Sequence, residues 1–150
     1  MFNLTVGVIP TLGLGVTAHV FIQGSQTSKN IRQFLTDELP IFQRIEYANI
    51  HLAEQERLYY LMYATEPSPD LTVKLNTEIS LIESTLIELQ STLADTGVLA
   101  DVETRHGVLT SSGALLIDNL LDSETDWDLA REQLEVISEI RRDASNTLQM

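Results

Sequence analysis

Apolar residues recur along this chain at alternating steps of three and four, the spacing of one face of an α-helix. No period-2 alternation competes with this pattern, so the sequence predicts an all-α protein. The pattern is interrupted around residues 66–70, 95–97 and 122–126, where Pro, Gly and Asp favour turns. The uninterrupted stripes are Ile41–Met62, Leu71–Leu93, Val102–Leu120 and Trp127–Leu148. We therefore predict four helices, at about 40–64, 71–94, 98–121 and 124–149.

Helices of similar length with such short connections pack as antiparallel neighbours. We predict an up-down-up-down antiparallel four-helix bundle over residues 40–150, with left-handed packing and crossing angles of about 20°. Arg141 lies on the apolar stripe of the fourth helix. A charge at that position needs a carboxylate partner, an exposed head group or a place facing a dimer partner, and structural pairing is the expected role.

The first 22 residues contain no charged side chain, whereas all 9 basic and all 22 acidic residues follow them. The apolar run Leu4–Ile22 would span about 28 Å as a helix, close to one hydrocarbon thickness. We predict a transmembrane helix at 1–22 and a membrane-proximal stalk at 23–39. Two alternatives stay open. The first is a signal peptide, although a signal peptide normally begins with basic residues, which are missing here. The second is a buried segment of a soluble protein.

Composition narrows the range of functions. The net charge of −13 disfavours nucleic acid or an anionic lipid surface as the main partner. Cysteine is absent, which excludes disulfides, thiolate metal sites and a thiol nucleophile. No phosphate-binding glycine loop or nucleophile motif occurs, so we expect no enzymatic activity.

Glu103 and His106 form one Glu-x-x-His, half of the motif that carboxylate-bridged di-metal bundles use twice. His19 and His51 have no Glu three residues before them. We expect no metal and no cofactor. The better expectation for His106 is a core or near-core histidine that is hydrogen-bonded to a neighbour.

The order of a span, a long first helix and three further helices resembles the four-helix-bundle sensor domains of bacterial chemoreceptors (methyl-accepting chemotaxis proteins) and transmembrane sensor histidine kinases. The Leu39–Glu46 segment, the tyrosine-rich end of the first helix and the Thr65–Asp70 turn have a similar local texture. The resemblance is one of architecture and covers nearly the whole chain. It implies a homodimer in the bacterial inner membrane, with the bundle in the periplasm or outside the cell. It also implies a second span and a cytoplasmic output module, neither of which this sequence contains.

In such domains a small ligand usually binds near the membrane-distal end, where arginines take its carboxylate. The matching positions here are Arg57, Tyr60, Tyr63, Trp127 and Arg131, with Tyr59 nearby. Together they predict a site for an amino acid or a small organic acid. The alternative for these residues is structural: Tyr59 and Trp127 belong to the core, and Arg57 pairs with a nearby carboxylate, either Glu54 or one on the Glu56 side. The alternative function is a membrane-tethered structural or adaptor bundle with no small-molecule ligand.

Overall fold

The computed structural model describes residues 26–93 and 97–149, and these residues are helical with short connections and no strand. The chain is an all-α protein, as its periodicity predicts. The four long helices of this part of the chain are α1 (Leu39–Thr65), α2 (Pro69–Thr92), α3 (Gly97–Leu121) and α4 (Trp127–Leu148).

Side-chain caps determine where two of the helices begin. The Ser68 hydroxyl accepts a hydrogen bond from the Leu71 amide, and Pro69 occupies the first helical turn, where no amide donor is needed. The Asp126 carboxylate accepts from the amides of residues 128 and 129. This cap starts α4 at Trp127, three residues after the predicted position 124.

The segment before α1 contains a change of helix type. Residues 26–33 are α-helical, and Phe34–Glu38 form one π-helical turn in which the Leu39 amide donates to the Phe34 carbonyl. Pro40 follows at once; its ring lacks an amide donor and crowds the carbonyl four residues earlier. A wider π turn just before Pro40 fits that requirement.

The chain divides into two compact units, residues 1–40 and 41–150. The second unit holds the buried core. The predicted transmembrane helix at 1–22 lies outside the described residues, as do the first three residues of the predicted stalk. Within the described part of the chain, none of the helices has the length and apolar character needed to cross a bilayer.

The predicted stripes form the core of the second unit. Leu52, Ile82, Leu109 and Ile137, one from each helix, are all fully buried. The pattern has exceptions, among them one leucine and one tryptophan. Leu58 is buried although it lies beside the stripe of α1, and Trp127 is half exposed although it lies on the stripe of α4.

One close approach crosses the middle of the core. Gly113 of α3 is buried beneath the ring of Tyr59 from α1, and a Cβ atom at position 113 would overlap that ring. Only a residue without a side chain fits between the two helices at this level. Gly107, six residues earlier on α3, has open space where its Cβ would lie.

Candidate functional site

The predicted ligand site lies where α1 ends and α4 begins, which we call the distal end. Arg57 of α1 is already paired there: its Nε and Nη2 donate to the two oxygens of Glu54, at 2.7 and 2.6 Å. This hydrogen bond lowers the pKa of the Glu54 carboxyl and raises that of the guanidinium. The structure therefore favours the structural role for Arg57.

Arg131 of α4 is paired in the same way, since its Nη1 donates to the Asp128 carboxylate at 3.1 Å. Both of these side chains are well exposed. A ligand carboxylate at the distal end would have to compete with a carboxylate partner for each of the two arginines. Ion pairs between exposed side chains contribute little to stability because water and salt screen them, so such competition is feasible.

Two aromatic residues of the predicted site do meet. The rings of Tyr63 on α1 and Trp127 on α4 contact edge to face, with centroids 5.7 Å apart. Tyr60, by contrast, turns its hydroxyl to Ser138 of α4, at 3.0 Å. The structure thus brings Tyr63 and Trp127 together, and it connects Tyr60 to a different group of residues.

That group joins α1 to α4 through polar side chains, and we call it the α1–α4 network. Ser138 donates to Oε1 of Glu56 at 2.6 Å, and Nε of Arg141 donates to Oε2 of the same carboxylate at 2.7 Å. Because the Ser138 proton goes to Glu56, the Tyr60 hydroxyl must be the donor to Ser138. The Glu56 side chain is 14% exposed and that of Arg141 is 31% exposed.

The sequence shows that one residue of this network needs a carboxylate partner, but it does not identify the other residues. A charge on the stripe of α4 needs a carboxylate, and Arg141 has one in Glu56. Finding that partner depends on knowing which level of α1 lies opposite Arg141. Ser138 carries no sequence signal at all, because serines on helices commonly bond their own backbone instead.

Polar groups also lie deeper in the core. Nε2 of the fully buried Gln55 donates to Thr110 of α3 at 3.3 Å and lies 3.4 Å from the Tyr59 hydroxyl, while its Oε1 has no partner. Burial raises the pKa of the Tyr59 hydroxyl. His51 of α1 pairs through Nδ1 with Glu78 of α2 at 2.5 Å.

No protein-family model matches this sequence, and no curated protein or solved structure matches it either.

A cavity of about 720 Å³ opens at the opposite end of the bundle, where α1 begins and α4 ends. Its wall is largely apolar and includes Ile41, Ile45, Leu93 and Leu148. Asn49 also lines it, and both polar atoms of that side chain are buried without a hydrogen-bond partner. The volume is typical of small-molecule pockets.

The Glu-x-x-His pair lies in a smaller cleft between α2 and α3. His106 is buried at 3% exposure, as predicted for a core histidine. The predicted hydrogen bond is absent at its Nε2, which has no partner. Among residues 26–93 and 97–149, no group of three or more His, Cys, Asp or Glu side chains is placed to hold a metal ion.

Proposed function

We propose that this chain is the extracytoplasmic ligand-sensing part of a bacterial transmembrane signalling receptor, either a chemoreceptor or a sensor kinase. Residues 1–22 would anchor it in the inner membrane. The bundle would bind a small molecule as a homodimer and pass a helix shift to a cytoplasmic output module.

The up-down-up-down order of the helices is part of this proposal, and contacts between the helices support it. Along α1, Glu56, Tyr60 and Tyr63 meet residues of α4 that come progressively earlier in the chain: Arg141, Ser138 and Trp127. Arg44 and His51 of α1 likewise meet Glu88 and then Glu78 of α2. Reversed order of this kind is the signature of antiparallel neighbours, and it supports an up-down-up-down bundle.

The observation that carries the proposal is the α1–α4 network. In a receptor of this architecture, α1 and α4 are the helices that lead toward the membrane, and their relative position is the signal. A half-buried network of ionic and hydroxyl hydrogen bonds gives that pair a definite register, because its short contacts cannot stretch gradually. A bundle with two discrete packings needs such a register-dependent contact.

Ligand binding is tested by a thermal-shift screen of amino acids and small organic acids on the full chain in a neutral detergent. A ligand present at 100 times its dissociation constant should stabilise the fold by about 2.7 kcal/mol. Replacing Arg57 and Arg131 by Gln should remove the shift for an acidic ligand. Arg142→Gln is the matched control, because Arg142 is an exposed arginine of α4 outside the predicted site. If the shift survives the double replacement, the distal site is wrong.

Signalling is tested by a distance measurement between α1 and α4. The chain has no cysteine, so cysteines introduced at the exposed positions Ala53 and Glu139 can be spin-labelled selectively. A ligand found in the screen should change the distance between the labels by about 1–2 Å. A ligand that binds without moving the labels would contradict the receptor mechanism.

The alternative is a membrane-tethered structural or adaptor bundle. The observation that favours it is that each distal arginine already has a carboxylate partner on its own helix. A broad screen without any thermal shift, together with an invariant label distance, would support this alternative.

A further inference from the structure

Exposed apolar side chains form one short row on α3 and another on α4. Val108 and Leu115 of α3 are 48% and 60% exposed, and Leu129 and Val136 of α4 are 42% and 41% exposed. The two residues of each pair lie seven positions apart. Seven residues make nearly two helical turns, so each pair lies on one side of its helix.

One guanidinium joins the two rows. Asp101 lies seven positions before Val108 and continues the row of α3, and Asp143 lies seven positions after Val136 and continues the row of α4. Arg105 donates through Nε to Asp101 at 2.8 Å and through Nη1 to Asp143 at 3.4 Å. The two rows are therefore neighbours across the seam between α3 and α4.

A second contact sets the register of the rows. Nδ2 of Asn119 donates to the Asp126 carbonyl at 2.9 Å, and the Asp126 amide donates to Oδ1 of Asn119 at 3.1 Å. This contact and the guanidinium bridge join α3 and α4 in reversed order, so Leu115 comes level with the interval between the two apolar residues of α4. The four apolar side chains thus alternate across the seam over about 15 Å. We call them the α3–α4 strip.

Acidic side chains border this strip on both helices. The residues three positions after its members include Ser111 and Asp118 on α3 and Glu132 and Glu139 on α4, and all four are exposed. Three of them are acidic and none is basic. At one end of the strip, Arg105 is already paired with two carboxylates, which offset its charge.

We propose that the α3–α4 strip is the docking site of a basic amphipathic helix from a partner protein. The apolar face of that helix would cover the strip, and its Lys and Arg side chains would pair with the flanking carboxylates, as in coiled-coil recognition. A second copy of this chain is disfavoured, because its strip has the same acidic borders and its net charge is also −13. The proposal uses none of the residues of the distal site.

The probe is a synthetic three-heptad helix with leucines at the a and d positions and lysines at the other positions, labelled with fluorescein. Its binding to the full chain in neutral detergent is followed by fluorescence anisotropy, and every comparison is made at one detergent concentration. We expect saturable binding that weakens as salt is added, because salt screens the pairs between lysines and carboxylates. A probe with glutamates in place of the lysines should not bind.

The apolar contacts are tested by single replacements. Leu115→Ser and Val136→Ser should each weaken binding of the lysine probe about tenfold, because each removes an apolar side chain from the strip. The matched controls are Val73→Ser and Ile87→Ser on α2, where the side chains are 66% and 65% exposed and lie outside the strip. These controls should keep the wild-type affinity. All four positions are exposed, so the fold should be retained, and circular dichroism checks this.

The acidic border is tested by a pair of double variants with the same change in net charge. Glu132→Gln with Glu139→Gln should weaken binding and flatten its salt dependence, because these carboxylates flank the strip. Glu46→Gln with Glu83→Gln removes two exposed carboxylates of α1 and α2 and should leave both properties unchanged.

Three results would overturn the proposal. The first is no saturable binding of the lysine probe to the wild-type chain. The second is equal weakening by the strip variants and their controls, since that means nonspecific attraction to an acidic chain. The third comes from sedimentation velocity of the chain alone: if Leu115→Ser dissociates an oligomer, a second copy covers the strip instead of a basic partner.

Discussion

Replacing Gly113 by alanine is the most direct test of how the core is packed. The added methyl group would overlap the Tyr59 ring, which is 1% exposed and would have to shift within the core. The same replacement at Gly107 is the matched control, because that position is on the same helix and its Cβ would meet nothing within 4 Å.

The expected magnitudes follow from two opposing effects. Alanine is favoured over glycine inside a helix by about 1 kcal/mol, and this gain applies at both positions. Overpacking a close-packed core costs about 1–3 kcal/mol, and the upper end applies at Gly113 because a rigid aromatic ring is displaced. We therefore expect Gly113→Ala to lose about 2 kcal/mol net and Gly107→Ala to gain about 1 kcal/mol.

Urea unfolding followed by circular dichroism measures both free energies of unfolding. In thermal melts, a chain of this size should show a fall of about 6 °C for Gly113→Ala and a rise of about 3 °C for Gly107→Ala. Combining Tyr59→Leu with Gly113→Ala should be less damaging than the sum of the two single changes, because a smaller residue 59 leaves room for the methyl group. Equal stability of the two alanine variants, or strict additivity in the double variant, would refute the close approach.

Three further outcomes are expected. Burial holds the pKa of His106 below its unfolded value of about 6.5. Below that pH the unfolded chain therefore binds more protons than the folded chain, and the free energy of unfolding should fall as the pH decreases from 7. His106→Gln should flatten this part of the stability–pH profile; an unchanged slope would contradict the assignment. Asn49→Leu should raise the free energy of unfolding by about 1 kcal/mol in urea titrations, because it removes two buried polar atoms that have no partner, and a loss would contradict this. Glu56→Gln should lower the free energy of unfolding by about 2 kcal/mol, because it weakens the α1–α4 network at Arg141. Asp128→Asn, which breaks an exposed pair, should lower it by less than about 1 kcal/mol. Equal losses would show that the network adds no stability.

The buried faces of the helices were predictable because helical periodicity is a local property of the chain. Residues such as Ile82 and Leu109 follow from spacing alone, and both are fully buried. Trp127 does not follow the rule, since it lies in the first turn of α4, where the helix has fewer neighbours. Leu58 shows the opposite case: a residue beside the stripe becomes buried when an adjacent helix covers the flank.

The candidate sites were less predictable, because they depend on the register between helices. The need of Arg141 for a carboxylate was visible, but the identity of Glu56 as its partner depends on how α1 and α4 align. The same limit applies to the distal arginines. Whether Arg57 reaches across to a ligand or folds back onto Glu54 is decided by side-chain geometry over a few ångströms, and periodicity does not describe that.

The α1–α4 network has a consequence for how this protein can change during evolution. Glu56 accepts from both Ser138 and Arg141, so losing the carboxylate alone leaves a half-buried guanidinium without its partner. An apolar residue at position 141 would in turn leave the carboxylate without its ionic partner, with only the Ser138 hydroxyl donating to it. Single replacements are therefore disfavoured in both directions, whereas a joint exchange for two apolar residues is tolerated. In sequences descended from this one, positions 56 and 141 should covary, and a pairwise mutational scan should show strong positive epistasis between them.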